Sequence, residues 1–147
     1  GARGGETLRL VIDASVIFKW VFPGAAAESH VPEALSLLEA VTKGEVEVLQ
    51  PPHWILEVAA VLARKAPANA DEALDFLEDL AFERLDTRSV LRRARQLATE
   101  LNHHLFDTLY HAVAIEGRAT LITADSRYLT KIRERQEARP LALWDRA

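Results

Sequence analysis

Four acidic side chains stand where this sequence is otherwise apolar. They are Asp13, Glu57, Asp107 and Asp125. Asp13 and Asp125 each follow a short apolar run, whereas Glu57 and Asp107 lie in apolar segments with helical spacing. An unpaired carboxylate buried in such a segment would cost several kcal/mol, so each acid needs water, a counter-charge or a bound cation.

Bringing these acids together would favour metal chemistry. At an effective dielectric constant of ~20, two carboxylates ~5 Å apart repel by ~3 kcal/mol. Four in one crevice must therefore raise their pKa values or hold a cation. Because the chain has no cysteine, an all-oxygen site suits Mg²⁺ or Mn²⁺ rather than Zn²⁺. Such an ion lowers the pKa of a bound water and neutralises charge on a phosphoryl group under in-line attack.

Each acid also has a simpler explanation when it is taken alone. An aspartate after a strand often caps the following helix or closes a turn, which applies to Asp13 and Asp125. Glu57 would pair with Arg64 or face solvent at a helix edge. Asp107 would interact favourably with the helix dipole from the first turn. Only the four acids considered jointly predict a metal site.

The histidines offer a rival metal site. His53 lies four residues before one of these acids, and His103 and His104 shortly precede another, which His111 follows by one turn. Ordinary hydrogen-bonded histidines in loops and at helix ends remain the favoured interpretation over a zinc site. We also hypothesise that His53 or His111 orients one of the four carboxylates.

The apolar spacing alternates strands with helices. Short apolar runs predict strands at 8–12, 46–49, 84–85, 120–123 and 140–144. Helical spacing predicts helices at about 15–22, 31–44, 52–62, 73–80, 90–101, 106–115 and 126–138, the first of them capped by Ser15. This order implies an α/β fold with a parallel sheet of about five strands, flanked by helices on both faces. Ligands bind beyond the carboxyl ends of such strands, where Asp13 and Asp125 would both lie.

Length and composition predict one globular domain. The chain has 147 residues, 49% of them apolar, and a net charge of −4. We expect the domain at 8–147 and interpret 1–7 as a leader or an expression-derived segment. The charge excludes a non-specific nucleic-acid coat, and the basic clusters at 88–95 and 131–135 indicate solvated helix faces. Without cysteines or an ~18-residue apolar run, we expect a cytoplasmic protein with no membrane span.

The segments around the four acids resemble a known family in their order and spacing. They are Val11-Ile12-Asp13-Ala14-Ser15-Val16, Pro51-Pro52-His53-Trp54-Ile55-Leu56-Glu57-Val58, Phe106-Asp107-Thr108-Leu109-Tyr110-His111-Ala112-Val113-Ala114 and Leu121-Ile122-Thr123-Ala124-Asp125. Together they resemble the PIN domain, and most of all the VapC-type ribonuclease toxins of bacterial and archaeal toxin-antitoxin pairs. The resemblance extends from Leu8 to Trp144, which is nearly the whole chain.

The resemblance implies a function and a set of partners. It implies that the four acids are the catalytic, metal-binding quartet, with the hydroxyls of Ser15 and Thr123 at its edge. It also implies a PIN-like fold, a homodimer, and Mg²⁺- or Mn²⁺-dependent hydrolysis of RNA. A small antitoxin protein would be the partner that covers or plugs the acidic site.

Three positions depart from the usual pattern of these toxins. Phe106 stands where many relatives have tyrosine, and Ala60 where they often have asparagine. Arg127 replaces an acid that some relatives carry two residues after the last one. This loss favours a single firmly held ion and suggests that Arg127, or Lys19, contacts the substrate phosphate.

Several alternatives compete with this interpretation. A haloacid dehalogenase-like phosphatase needs aspartate where Ser15 stands, and a response-regulator receiver needs an acid where Ile12 stands. A dinucleotide-binding fold needs a glycine-rich turn after the first strand. Within a PIN-like fold, a DNA-associated or regulatory binding module and a housekeeping RNA-processing nuclease stay open. Trp20, Phe22 and Trp54 are expected in the core rather than on a dimer or antitoxin surface.

Overall fold

A computed structural model describes residues 7–22, 24, 29–133, 135 and 137–146. Its centre is a parallel five-stranded sheet in the order β3-β2-β1-β4-β5. The strands are β1 (Leu8–Ile12), β2 (Val46–Gln50), β3 (Glu83–Arg84), β4 (Thr120–Thr123) and β5 (Ala138–Pro140). The predicted α/β fold and its single parallel sheet are therefore confirmed.

In the described part of the chain, seven α-helices connect and cover the strands. They are α1 (Ala14–Val21), α2 (Val31–Thr42), α3 (Trp54–Lys65), α4 (Ala70–Asp79), α5 (Arg88–Leu101), α6 (Leu105–Glu116) and α7 (Ser126–Ile132). Short 3-10 turns follow at Pro67–Asn69 and Leu141–Leu143. Because every strand is parallel, each connection is a crossover that returns the chain to the end where the strands begin. The carboxyl ends of all the strands therefore lie at the same edge of the sheet.

The core forms on both sides of the central strand. Leu10, Val11 and Ile12 of β1 are almost fully buried, as a strand covered on both faces requires. Trp20 and Trp54 are buried as predicted, and the indole Nε1 of Trp20 donates to the Ala34 carbonyl at 2.7 Å. Phe22 packs against the core and is partly buried.

Two features outside the core were also predicted. The arginines of the 88–95 cluster are exposed on α5, and one of them, Arg93, pairs with Glu116 at 3.0 Å. Within the described residues, no helix combines the length and apolar character needed to cross a bilayer. Residues 1–6 of the predicted leader lie outside the described residues.

One region differs from the sequence prediction. The last helix ends at Ile132 rather than near Ala138, because Arg133 takes a left-handed backbone conformation with φ of 40°. The last strand occupies Ala138–Pro140 rather than 140–144, since Leu121 N–H already donates to the Glu137 carbonyl at 2.7 Å. Helical spacing alone did not predict this early helix end.

A second difference concerns the cap of the first helix. Helix α1 begins at Ala14, and its N-cap is Asp13, whose side chain accepts the N–H of Ser15. The predicted cap, Ser15, is instead the second residue of the helix. An aspartate directly after a strand satisfies the first helical N–H groups without an intervening residue.

Candidate active site

The central strands bring two of the acids to the same edge of the sheet. Strand β1 pairs with β4 through Ile12 and Ile122, and Asp13 N–H donates to the Ile122 carbonyl at 3.0 Å. Asp13 follows β1, and Asp125 lies two residues after β4. Both side chains therefore leave the sheet at the carboxyl ends of neighbouring strands, as the sequence predicts.

Two hydroxyls join the segments that follow these strands. The Oγ atoms of Ser15 and Thr123 lie 3.4 Å apart. Ser15 Oγ accepts the N–H of Ala124, and Thr123 Oγ1 accepts the N–H of Asp125, both at 3.0 Å. Ser15 and Thr123 thus hold the two acidic segments against each other.

Backbone amides hold one oxygen of each strand-end acid. Asp13 Oδ2 accepts the N–H of Ser15 at 3.0 Å. Asp125 Oδ1 accepts the N–H groups of Arg127 and Tyr128 at 3.0 and 3.1 Å, which makes it the N-cap of α7. The simple capping explanation is therefore correct for both residues, but it accounts for only one oxygen of each carboxylate.

Side chains hold Glu57, which lies in the first turn of α3. The phenol of Tyr110 donates to Glu57 Oε1 at 2.6 Å, and His53 Nε2 lies 3.4 Å from the same oxygen. His53 Nε2 also lies 3.0 Å from the Phe106 carbonyl oxygen. Glu57 is thus oriented by Tyr110 and His53, rather than by the Arg64 that helical spacing offers.

Asp107 lies in the first turn of α6 and contacts a histidine from the preceding turn. His103 Nε2 is 2.8 Å from Asp107 Oδ2. On the other side of the ring, Lys131 Nζ lies 3.0 Å from His103 Nδ1, and it also donates to the Asn102 carbonyl at 2.9 Å. Asp107 therefore ends a chain of polar contacts that begins on α7.

The four acids lie close enough to influence one another. Donor atoms of Asp107, Asp125 and His103 all lie within 4.8 Å of one another. The pKa of Asp13 is raised to about 6, mainly by burial and also by the negative charges of Asp107 and Glu57, against the opposing Ser15 hydrogen bonds. Among the described residues, this tight group of ligand atoms contains Asp107 and Asp125 but not Asp13 or Glu57, which are linked to it only through the effect of Asp107 and Glu57 on the pKa of Asp13. Convergence of all four acids on one ion stays a prediction.

Each of these carboxylates has one oxygen in a protein hydrogen bond and one without. The oxygens that have no protein hydrogen-bond partner in the described part of the chain are Asp13 Oδ1, Glu57 Oε2, Asp107 Oδ1 and Asp125 Oδ2. Carboxylate oxygens that the protein leaves without a partner suit a hard divalent cation, because carboxylates are the preferred ligands of Mg²⁺ and Mn²⁺.

A cleft of about 370 Å³ opens beside Asp107 and Asp125. Its lining adds cationic and polar side chains to the two acids, namely Asn102, His103, His104, Arg127 and Lys131. Arg127 is exposed, and among the described residues its guanidinium has no hydrogen bond or ion pair. Lys19 lies elsewhere, buried in the last turn of α1 and outside this lining.

His111 does not orient an acid of the site. It is fully buried, with Nδ1 at 2.7 Å from the Tyr128 hydroxyl and Nε2 at 3.0 Å from Glu137 Oε1. Burial lowers the pKa of His111. Of the two histidines hypothesised to orient a carboxylate, only His53 contacts one, and the hypothesis is wrong for His111.

Two further residues of this region orient a carboxylate, and the sequence did not predict this role for either of them. Tyr110 and Glu57 are 53 positions apart, so no local spacing pairs them. His103 did carry a signal, because it precedes Asp107 by one helical turn. The buried amide of Gln50 is a third, structural case: it accepts from Ile12 N–H at 2.8 Å and donates to the Ile12 carbonyl at 2.9 Å.

Solved structures from three organisms share this fold. A toxin-antitoxin complex from Klebsiella pneumoniae aligns at 16% identity over 90% of this chain and 97% of that chain, with a TM-score of 0.67. VapBC2 from Rickettsia felis, bound to a DNA fragment from its promoter, aligns at 16% identity over 94% and 100%, with a TM-score of 0.68. PAE2754 from Pyrobaculum aerophilum aligns at 18% identity over 92% and 90%, with a TM-score of 0.66.

Sequence comparison assigns the family. No curated protein sequence matches the chain significantly. The family model of the PIN domain, however, matches residues 10–134. This match contains Asp13, Glu57, Asp107 and Asp125, and it covers β2, β3, β4 and the last three residues of β1. The chain therefore belongs to the PIN domain family.

Proposed function

We propose that this protein is a Mg²⁺- or Mn²⁺-dependent endoribonuclease and the toxin of a VapBC-type toxin-antitoxin pair. PIN domains are generally nucleases, which makes phosphodiester hydrolysis the starting point. One observation supports the metal-dependent form most directly. Each of the four carboxylates has one oxygen fixed by the protein and one without a protein partner, and ligand atoms of Asp107 and Asp125 lie within 4.8 Å of each other.

The four acids and Arg127 have separate proposed roles. Asp13, Glu57 and Asp107 would hold the ion, directly or through water, and Asp125 would bind or orient a water. When bound, the ion supplies a water of lowered pKa and neutralises charge on the phosphoryl group. Arg127 is in place to contact a substrate phosphate, because its guanidinium lines the cleft beside Asp125.

Ser15, Thr123 and Lys19 have more distant roles in this proposal. The two hydroxyls already accept backbone N–H groups and lie against each other. They therefore support the acidic segments and do not need to contact the substrate. Lys19 is buried outside the cleft lining, which leaves Arg127 as the better candidate for the phosphate contact.

The toxin assignment also concerns partners. The neighbour from Klebsiella pneumoniae is a toxin-antitoxin complex, which supports a cognate antitoxin for this chain. We further propose a homodimer that works in the cytoplasm, as the resemblance to VapC-type toxins implies. A second candidate function is a DNA-associated complex, since the Rickettsia felis VapBC2 structure is bound to a promoter fragment. A housekeeping RNA-processing nuclease is the third.

Cleavage assays on purified protein test the enzymatic proposal. Labelled single-stranded RNA and DNA of the same sequence are incubated with Mg²⁺, with Mn²⁺ or with EDTA. We expect RNA cleavage that needs the ion, that Asp13→Asn abolishes and that Asp75→Asn retains. Asp75 is a matched control because it is an exposed aspartate on α4, away from the cleft.

The same assay separates the alternatives. RNA cleavage by Asp13→Asn at the parent rate would mean a contaminating nuclease or another site. Promoter DNA binding by the complex with no RNA cleavage would favour the DNA-associated module. Cleavage of RNA precursors at defined positions, without growth arrest on expression, would favour the housekeeping nuclease over a toxin.

A further inference from the structure

We propose that Lys131 and His103 form a relay that fixes the carboxylate of Asp107, so that His103 is a positioning residue and not a metal ligand. The relay consists of three contacts: Lys131 to the Asn102 carbonyl, Lys131 to His103 Nδ1, and His103 Nε2 to Asp107 Oδ2. This inference rests on the proposed function for its catalytic meaning, because it concerns the same acidic site.

The hydrogen-bonding chemistry of lysine determines where the histidine proton lies. A lysine ammonium has donors and no acceptor, so His103 Nδ1 must accept from Lys131. A ring nitrogen that accepts carries no proton, and the ring proton is therefore on Nε2. His103 Nε2 then donates to Asp107 Oδ2 across the 2.8 Å contact. Lys131 thereby selects the tautomer that Asp107 needs.

The same proton decides the metal-binding capacity of His103. Its donor atom lies within 4.8 Å of those of Asp107 and Asp125, a spacing that would suit a three-ligand site. A protonated Nε2 has no lone pair for a metal, however, and Lys131 occupies Nδ1. The ion would therefore meet only oxygen ligands on this side, including Asp107 Oδ1, which the relay leaves without a protein partner.

The ring of His103 is also held in place by packing. Its side chain is 9% exposed, and its centroid lies 4.9 Å from that of Tyr128 in an edge contact. The Tyr128 hydroxyl is itself 2.7 Å from His111 Nδ1. Because the ring is packed on one side and hydrogen-bonded at both nitrogens, it offers Asp107 a fixed donor.

Lys131 joins α7, which Asp125 caps, to the turn that precedes α6, which carries Asp107. It belongs to the last turn of α7, which begins at the Asp125 cap. Its contact with Asn102 attaches α7 to the turn between α5 and α6, where Asn102 adopts a left-handed conformation with φ of 49°. The relay therefore also controls the spacing between Asp107 and Asp125.

Four variants separate positioning from ligation and from simple electrostatics. His103→Phe keeps an aromatic ring against Tyr128 and removes both nitrogens, whereas His103→Gln keeps an N–H donor of suitable reach. Lys131→Met removes the ammonium and leaves His103 intact. Arg127→Met is the matched control, because it removes a cation from the same cleft that contacts no acid side chain. Thermal melting of each variant checks that it folds.

The first measurement is Mn²⁺ affinity, from the electron paramagnetic resonance signal of unbound Mn²⁺ during titration. We expect His103→Phe to weaken Mn²⁺ binding about 10–100-fold, as loss of a residue that orients a metal ligand typically does. His103→Gln should recover most of this loss. Lys131→Met should weaken binding although it removes a repelling charge, whereas Arg127→Met should leave binding unchanged or tighten it.

Two outcomes of that titration would overturn the relay. One is wild-type Mn²⁺ affinity in His103→Phe. The other is tighter binding in Lys131→Met to the same extent as in Arg127→Met, because both cations would then act only through charge. Pulsed electron paramagnetic resonance adds a direct test of ligation: nitrogen coupling from His103 to bound Mn²⁺ would identify a ligand and contradict the proposal.

The second measurement needs no metal. Nitrogen-15 NMR of histidine-labelled, metal-free protein should show His103 as the Nε2–H tautomer, assigned by its absence in His103→Phe. In Lys131→Met, the Nδ1–H tautomer should appear as well. An Nδ1–H tautomer in the wild type would refute the relay. If the wild type binds no Mn²⁺, the proposed function fails, but the tautomer still decides the relay independently.

Discussion

The two strand-end acids and the two helix acids are held in position by different physical means. Asp13 and Asp125 are held by backbone N–H groups two or three residues further along the chain. Glu57 and Asp107 are held by the side chains of Tyr110 and His103. The first pair is fixed as soon as its helices form, whereas the second depends on side chains that tertiary packing brings into place.

The largest expected effect is loss of cleavage when a helix acid loses its charge. Glu57→Gln keeps a side-chain oxygen for the Tyr110 hydroxyl but removes the negative charge. We expect RNA cleavage to fall about 10³-fold or more, because several kcal/mol of metal-dependent transition-state stabilisation are lost. Single-turnover cleavage measures this fall, with the exposed Glu78→Gln on α4 as the control. An unaffected rate would remove Glu57 from the site.

The next effect concerns a strand-end acid and pH. The pKa of Asp13 rises from 3.8 to about 6 in the folded protein, mainly through burial. The folded state therefore binds this proton more tightly than the unfolded state does. The stabilisation is present below the unfolded pKa of 3.8 and is lost as the pH rises through about 6.

Metal-free protein in EDTA provides the measurement. Relative to Asp13→Asn, the unfolding free energy of the wild type should fall by about 2 kcal/mol between about pH 4 and pH 7, and a saturating divalent ion should reverse part of the fall. Urea unfolding at several pH values gives this difference. A difference that does not vary with pH would mean that the carboxylate of Asp13 is not buried near other charges.

A smaller effect is expected from removing the hydrogen bond that orients Glu57. Tyr110→Phe removes the hydroxyl that donates to Glu57 Oε1. Mn²⁺ affinity should fall about 10-fold or somewhat more, because an orienting partner of a ligand is lost. The unfolding free energy should fall by only about 1 kcal/mol, the usual net contribution of one hydrogen bond. Titration and urea unfolding measure the two quantities, and unchanged Mn²⁺ affinity would contradict the orienting role.

The smallest effect distinguishes the two functions of Asp125. Asparagine caps helices about as well as aspartate, whereas alanine does not. Both Asp125→Asn and Asp125→Ala should therefore lose metal affinity. Only Asp125→Ala should also lose about 1 kcal/mol of unfolding free energy through the missing cap of α7. Equal stabilities of the two variants would show that the cap contributes little.

The same comparison explains how much of the site the sequence could predict. The strand-end acids could be predicted from the sequence, because an apolar run followed by aspartate indicates both the end of a strand and the cap of the next helix. The order of strands and helices was predictable for the same reason, since apolar periodicity follows burial. Tyr110 could not be paired with Glu57 in this way, because 53 residues separate them.

The errors also have local physical causes. The early end of α7 depends on the positive φ of Arg133. Residues other than glycine rarely adopt this conformation, so an arginine in the sequence does not predict it. His111 looked like an orienting residue because it lies one turn after Asp107. Sharing a helix face does not by itself bring two side chains into contact, however, and the ring of His111 is held by Tyr128 and Glu137 instead.

The buried amide of Gln50 has a consequence for the end of the strand that carries Asp13. It replaces a backbone partner, because both its oxygen and its nitrogen bond to the main chain of Ile12. The ladder between β1 and β2 pairs Leu8 to Leu10 with Val46 to Val48, and the two hydrogen bonds of the Gln50 side chain continue the connection to Ile12. A core glutamine thus completes, from its side chain, the hydrogen bonding of the residue that directly precedes Asp13.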